Sequence, residues 1–316
     1  MLTALLLAQA LGAEPERAEL VAAAAASGRP AECTPRSSAG GASAASVWAR
    51  ARAPHRERYC TLVARAQTRV QHEPKSAQAA AREAAELEPS RAAPLVLLGQ
   101  AALRLGDLAD AIDRFTAAMA LDSRSVEQPV ALHDYATALR LADRPKEALR
   151  AYRLLVPRCS LMPSRGWRAR VLLEAAHVAM KVAALGTAKP ELDETLAYLR
   201  EATSDPHHEL RLDTSVALAL ALDRAGLGSQ ADALLAELGG LDRWADAIRS
   251  DVVAIASDRW ALRALALERS RPREAAAAWK QVLASPDCPP AYQSCARSRL
   301  ERLERVSARK LPRASR

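Results

Sequence analysis

The stretch from Ala92 to Ser123 constrains the fold more than any other part of the sequence. It consists of two segments with apolar residues at helical spacing, joined by Gly106-Asp107. Two helices that cross at close range need small side chains at the crossing, and Gly99 and Ala111 supply one on each segment. We therefore predict a pair of antiparallel helices here. The pattern is carried by Leu98, Gly99, Gly106, Ala111, Phe115 and Ala118.

This spacing resembles the tetratricopeptide repeat (TPR), a helix–turn–helix unit of about 34 residues. Phe115 is the only phenylalanine of the chain and falls at the family's large aromatic position, and Ala118 falls at the small position that meets the next repeat. The resemblance implies an all-α fold, a TPR-type α-solenoid, because one helix pair cannot bury its apolar face alone. It also implies a protein-binding function rather than an enzyme.

Copies of the unit follow along the chain. The segment Pro129–Met162 repeats it, with a turn at Asp143-Arg144-Pro145, and Leu212–Leu241 repeats it again. The matching positions in these copies are Ala136, Ala148, Tyr152, Gly226 and Ala231.

Weaker copies extend the array on both sides. One covers Arg58–Arg91, where Arg65 stands at a position that is small in the family. Two further helix pairs, 168–202 and 260–283, keep the lengths but less of the signature, and the second offers Arg263 or Ala264 at its close-approach site. We expect five to six repeats over residues 58–285, followed by a C-terminal capping helix and basic tail over 286–316.

The N-terminal residues 1–13 read as a signal peptide. An apolar run ends in Ala8-Gln9-Ala10, which has the small-x-small form of a cleavage site. The alternative is an amphipathic helix of the repeat array. Residues 14–57 are expected to hold an N-terminal helix and a loop rich in Ser, Gly and Ala. Export implies a periplasmic or secreted protein, and a retained N-terminus implies a cytoplasmic one. No apolar run approaches the ~20 residues of a membrane span.

The cysteines bear on the compartment, because disulfides persist in oxidising surroundings. Cys33 and Cys60 bracket the loop rich in Ser, Gly and Ala, and Cys288 and Cys295 flank a turn that contains two prolines. We expect a disulfide in each pair, with Cys159 left as a free thiol. Ordinary buried thiols in a cytosolic protein are the alternative.

Charge is concentrated at the ends of the chain, whose formal net charge is +8. Residues 36–70 and 297–316 are strongly basic, while the repeats between them are mildly acidic. Basic ends can contact anionic surfaces, although solvated charge explains them equally well. Aromatic residues make up only 3% of the chain, and bases stack on aromatic side chains, so the composition argues against a nucleic-acid partner.

We find no pattern of catalytic, cofactor-binding or metal-ligating residues. His207-His208 lies in a turn without further ligands at suitable spacing. We therefore expect no cofactor, no metal and no small-molecule substrate.

The resemblance maps a partner-binding groove onto the first helix of each repeat. In the repeat 92–123 the mapped residues are Gln100 and Arg104, and in Pro129–Met162 they are His133, Thr137 and Arg140. In Leu212–Leu241 they are Val216, Leu220 and Asp223. We predict that Arg104 and Arg140 bind an acidic or carboxylate-bearing segment of a partner. The alternative is that these residues only solvate the surface.

Two functions fit these observations. The first is an exported scaffold in a bacterial envelope assembly, such as secretion, motility or surface-polymer machinery. The second is a cytosolic regulatory adaptor that contacts nucleic acid or other anionic surfaces through its basic ends.

Overall fold

A computed structural model describes residues 30, 33, 54–162, 164–185, 189–205, 209–239, 241–246 and 254–309. All regular structure in these ranges is helical. The helices are α1 (Pro54–Arg69), α2 (Pro74–Leu87), α3 (Ala92–Leu105), α4 (Leu108–Leu121), α5 (Pro129–Leu141), α6 (Pro145–Leu155), a 3-10 helix (Val156–Leu161), α7 (Arg165–Leu185), α8 (Lys189–Ser204), α9 (Arg211–Arg224), α10 (Gly228–Leu238), α11 (Asp242–Asp246), α12 (Ala256–Leu267), α13 (Pro272–Ala284) and α14 (Pro290–Arg309). The predicted signal peptide, the loop rich in Ser, Gly and Ala, His207-His208 and the basic tail after Arg309 lie outside the described residues.

Six consecutive helix pairs account for most of these elements: α1/α2, α3/α4, α5/α6, α7/α8, α9/α10 and α12/α13. We call the first helix of each pair the A helix and the second the B helix. The first three pairs belong to one compact unit that ends at Pro163, and the last three pairs and α14 belong to a second unit that begins at Ser164. The all-α solenoid with a C-terminal helix is confirmed, whereas the sequence pattern does not reveal the division after Pro163.

Left-handed backbone ends three of the A helices. Gly106 has φ 85°, Gly226 has φ 77°, and Asp143 takes the same place with φ 57°. The amide of each bonds back to a carbonyl of the preceding helix, which satisfies groups that a helix end otherwise leaves open. A proline lies in the first turn of α2, α5, α6 and α13, where its missing N–H is not needed.

The tightest crossing lies in the second pair. A Cβ placed on Gly99 would lie 3.0–3.1 Å from three ring atoms of Phe115, and Phe115 itself is fully buried. Glycine at position 99 is therefore required by the Phe115 ring, whereas Ala111, which we paired with Gly99 from the sequence, is not among the nearest atoms. Tyr152 and Trp279 occupy B helices of later pairs and are also fully buried.

The structure fixes the register of two weaker crossings: it moves that of α1 by one residue, and in α12 it selects one of the two residues that the sequence offered. In α1 the buried small residue is Ala66, and Arg65 is exposed. In α12 it is Ala264, and Arg263 is half-buried. Both A helices therefore place an alanine inward, so the signature is better preserved than the alignment of the sequence suggested.

The cysteines pair differently from the prediction. Cys33 and Cys60 form a disulfide, but the expected Cys288–Cys295 bridge is wrong, because both are free thiols, as is Cys159. The two sulfurs have different neighbours: the Cys288 thiol points to the carbonyl of Pro289, and the Cys295 thiol points to the carbonyl of Asp223 in α9. Within the described residues, no helix has the length and apolarity needed to cross a membrane.

Candidate functional site

The A-helix residues that we assigned to an open groove are mostly inside the protein. Gln100, His133 and Thr137 are each less than 9% exposed, the Arg104 side chain is 9% exposed, and Arg140 is half-buried. The prediction of a freely exposed lining is therefore wrong for these positions. The A helices contact their neighbours on this face and cover it.

A buried carboxylate joins three consecutive helix pairs in the first unit. Gln100 Nε2 donates to Asp134 Oδ2 at 2.8 Å, and Arg104 Nη2 donates to Asp134 Oδ1 at 2.8 Å. Arg104 Nε donates in turn to Gln71 Oε1 at 2.9 Å, just beyond α1. Asp134 is 2% exposed, so the ion pair is almost completely desolvated.

This network removes the basis for binding an acidic segment through Arg104. Its guanidinium already neutralises Asp134, and a second carboxylate would have to compete for it inside the protein. The ion pair instead fixes the register of the neighbouring A helices, since a buried ion pair tolerates little displacement of its two partners.

The second unit repeats the arrangement. Arg224, in the last turn of α9, pairs with Asp258 at the start of α12, and both side chains are at most 5% exposed. Asp258 also accepts bonds from the backbone amides of Ala254 and Ile255, at 3.2 Å each. Burial raises the pKa of the Asp258 carboxyl, and Arg224 and the two amides offset part of that rise.

A larger ionic cluster holds α14. Asp223, Asp232 and Glu268, which we call the acidic seat, surround the guanidinium of Arg299 at 2.5, 2.9 and 3.0 Å. The Arg299 side chain is 6% exposed and that of Asp223 is fully buried. Burial alone lowers the pKa of Arg299, but the three carboxylates outweigh it, so the pKa lies above its usual value.

Two further side chains of α14 complete the contact with α9. The Tyr292 hydroxyl donates to Asp223 Oδ2 at 2.6 Å, and the Tyr292 ring lies under the Arg224 guanidinium, 5.4 Å from its centroid. Burial, followed by the charge of Asp223, raises the pKa of Tyr292 well above 10.0 and the pKa of Cys295 to about 11.

An open cleft of about 350 Å³ adjoins the acidic seat. Its apolar lining includes Leu235, Leu241, Leu265 and Leu303, and Asp232, Glu268, Arg269 and Arg302 contribute polar groups. Arg302 spans the edge of the cleft, donating to Glu268 at 2.6 Å and to Asp232 at 3.2 Å.

Sequence reasoning assigned Val216, Leu220 and Asp223 to an exposed groove, which is wrong because all three are fully buried. It also missed Asp134, Asp258, Glu268 and Arg299. A signal for Asp134 was present, because it follows the apolar start of α5, from Pro129 to Leu132, and precedes further apolar residues of the same helix. Arg299 gave no such signal, because an arginine in a helix with many arginines is expected to be a solvated charge on the surface. Because Arg299 is engaged in the acidic seat and its side chain is 6% exposed, it is not available to an anionic surface.

Comparison with known proteins gives similarity at the level of structure. The chain is similar to PilF from Pseudomonas aeruginosa (17% identity, TM-score 0.44, 78% of this chain and 99% of PilF). It is also similar to a TPR protein from Parabacteroides merdae (15% identity, TM-score 0.36, 78% of this chain and 99% of that one). The TPR domain of P58(IPK) is a third (13% identity, TM-score 0.35, 87% and 72%). No protein-family model and no curated protein sequence matches the chain.

The fold is identified by features of the chain itself. Helix pairs follow one another through the described residues, small residues lie at their crossings, and left-handed turns at Gly106 and Gly226 end the A helices. The described residues therefore have the fold class that the sequence predicted, an all-α array of antiparallel helix pairs that resembles a TPR-type α-solenoid.

Proposed function

We propose that this protein is a non-enzymatic protein–protein interaction scaffold of a bacterial envelope assembly. The observation that carries the proposal is α14, an amphipathic helix held on α9 through buried ion pairs to the acidic seat. Helical repeats recognise partners by the same means, laying a helix or extended segment against their first helices. The second unit thus already binds one helix with the chemistry that a partner would use.

Photo-crosslinking tests the scaffold role with the full chain in its native bacterium. A photoreactive amino acid at Arg302, at the edge of the acidic seat, should give a discrete adduct with one partner protein. The matched control is Glu237, which is exposed on α10 and should give none. Equal adducts at both positions, or none at either, would contradict a partner-binding role for this face.

The envelope location is supported by the Cys33–Cys60 disulfide and by the signal-like residues 1–13. A disulfide of this kind is retained in the periplasm and reduced in the cytosol. Intact mass under non-reducing conditions and sequencing of the mature N-terminus test it together. A chain that begins at Leu11 or Glu14 and carries one disulfide is expected, and a reduced chain that retains Met1 would refute export.

The second candidate is a cytosolic TPR adaptor. The observation in its favour is that Cys159, Cys288 and Cys295 are all free thiols, as in proteins from reducing compartments. The same mass measurement decides between the two locations, while the crosslinking experiment applies to either.

A further inference from the structure

The outer side of α6 combines positive charge with an exposed apolar side chain. Lys146, Arg150 and Leu154 follow one another at intervals of four residues, so they lie on one face of the helix. All three are exposed, as is Arg153 beside them. We call these four residues the α6 face. The opposite side of the helix is buried in the first unit through Ala148, Leu149, Ala151, Tyr152 and Leu155.

The positive charge of the α6 face is not neutralised by neighbouring carboxylates. Within the described part of the chain, neither Lys146 nor Arg150 makes a salt bridge. The one carboxylate of α6 belongs to Glu147, and it accepts two hydrogen bonds from Arg144, at 2.7 and 2.6 Å. Because Arg144 lies outside the face and already compensates Glu147, the face keeps its positive charge.

The charge of α6 sets it apart from most B helices. Its sequence contains three basic residues and one acidic residue. The sequences of α2, α4, α8 and α10 each contain at least as many acidic as basic residues. Charge that serves only solubility is mixed in sign, as on those four helices. The excess of one sign on α6 therefore favours an anionic partner.

The same region exposes two large apolar side chains. Leu154 and Leu161 are 58% and 69% exposed, more than any other large apolar side chain in the described part of the first unit. Leu161 ends the 3-10 helix that follows α6. A single exposed leucine is ordinary on a protein surface, but Leu154 stands one helical turn after Arg150, among the cations. Transfer of its side chain out of water is favourable.

This combination suits a lipid bilayer better than an acidic protein segment. Recognition of one carboxylate needs donors that converge on it, whereas the basic residues of the α6 face are spread along the helix. Spread cations are attracted to the many headgroups of an anionic bilayer. A bilayer also offers an apolar layer just beneath the headgroups, within reach of a protruding leucine.

We propose that the α6 face binds the surface of an anionic lipid bilayer, with its basic side chains at the headgroups and Leu154 inserted beneath them. The proposal goes beyond the scaffold function and does not depend on it. The α6 face belongs to the first unit, whereas the crosslinking position Arg302 belongs to the second. Failure of either experiment therefore leaves the other conclusion standing.

Co-sedimentation of the full chain with vesicles tests the proposal. Vesicles of equimolar phosphatidylcholine and phosphatidylglycerol should bind the chain, and vesicles of phosphatidylcholine alone should not. Salt at about 0.5 M should release the bound chain, because it screens exposed charges. Equal binding to both kinds of vesicle, or no binding to the anionic ones, would overturn the proposal.

Charge reversal locates the binding face. Arg150→Glu should weaken binding to the anionic vesicles on the order of 10-fold. Arg82→Glu is the matched control, since it makes the same change at an exposed position of α2, and it should leave most of the binding intact. Both residues are exposed, so thermal unfolding of the two variants should match the wild type. Equal losses of binding would mean that the net charge of the chain, and not the α6 face, attracts the vesicles.

Substitution of the leucine separates a bilayer from a soluble polyanion. Leu154→Ser should weaken vesicle binding about 5-fold, and Leu154→Trp should strengthen it, because tryptophan favours the membrane interface. Leu121→Ser is the control, at a leucine of α4 that is 48% exposed, and should change nothing. If Leu154→Ser binds as the wild type does while Arg150→Glu does not, charge alone is recognised. That result would favour an acidic protein segment and overturn the bilayer.

Fluorescence quenching tests insertion directly. Lipids brominated on their acyl chains should quench the Leu154→Trp variant more than the wild type, whose five tryptophans give the background. Leu121→Trp should show no such additional quenching. Equal quenching in the wild type and in Leu154→Trp would show that this side chain does not enter the bilayer, and would overturn the proposal.

Discussion

At the scale of single residues, the contact between Gly99 and Phe115 is the most restrictive in the described core. The Phe115 ring is fully buried and would lie 3.0–3.1 Å from an added methyl group. Because the ring is enclosed, it cannot shift toward solvent. We therefore expect a substitution at Gly99 or at Phe115 to be tolerated only when the other residue is changed as well.

We predict that Gly99→Ala lowers the free energy of unfolding by up to about 2 kcal/mol. Overpacking costs about 1–3 kcal/mol, and the better helix propensity of alanine returns about 1 kcal/mol. Chemical denaturation of a double-mutant cycle checks the cause. In a Phe115→Leu background the added methyl should cost nothing further, and strictly additive losses would argue against the contact.

The turn at Gly226 isolates backbone strain from packing. Gly226 has φ 77°, and nothing lies within 4 Å of an added Cβ. Gly226→Ala should therefore destabilise the second unit through its dihedral angle alone, by about 1–2 kcal/mol. Gly226→Asn is the matched control, because asparagine tolerates this region better, and its loss should be smaller. Equal losses in thermal unfolding would contradict this explanation.

At the scale of elements, the sequence predicted the helix pairs better than the surface between them. Several helix boundaries are marked by local residues, namely Gly106, Pro129, Pro145 and Gly226. These boundaries could therefore be predicted from short-range chemistry. The burial of Gln100 and the ion pairs across A helices depend on residues about thirty positions apart, which no local pattern records. The family's average pattern predicts an exposed face, whereas this chain fills it with its own side chains.

The ion pair of Arg104 and Asp134 is the element-level contact most open to test. Asp134→Ala leaves a guanidinium buried without its partner, so we expect a loss of about 3–5 kcal/mol. Glu147→Ala is the control: it breaks the pair with Arg144, whose side chains are both 43% exposed, and should change stability by less than about 0.5 kcal/mol. Comparable losses for the two variants would mean that burial does not set the strength of these pairs.

At the scale of the whole molecule, α14 of the second unit carries groups that the fold keeps protonated. Burial and Asp223 raise the pKa of Tyr292 and Cys295, and burial raises the pKa of Cys288. All three belong to α14 or to the turn that precedes it. By contrast, α3 and α4 of the first unit contain neither tyrosine nor cysteine.

This difference predicts that alkaline pH loosens α14 before α3 and α4. A group whose pKa is raised by folding stays protonated in the folded state, so its stabilisation is complete below its unfolded pKa and is lost as pH rises through the folded pKa. For Cys295 that window runs from 9.0 to about 11, and for Tyr292 it begins at 10.0. Between pH 8 and about pH 10.5, hydrogen exchange should therefore accelerate in α14 more than in α3 and α4, after correction for the intrinsic rate. Cys295→Ala should reduce that acceleration, and equal acceleration in the three helices would show that α14 is not held by these protonated groups.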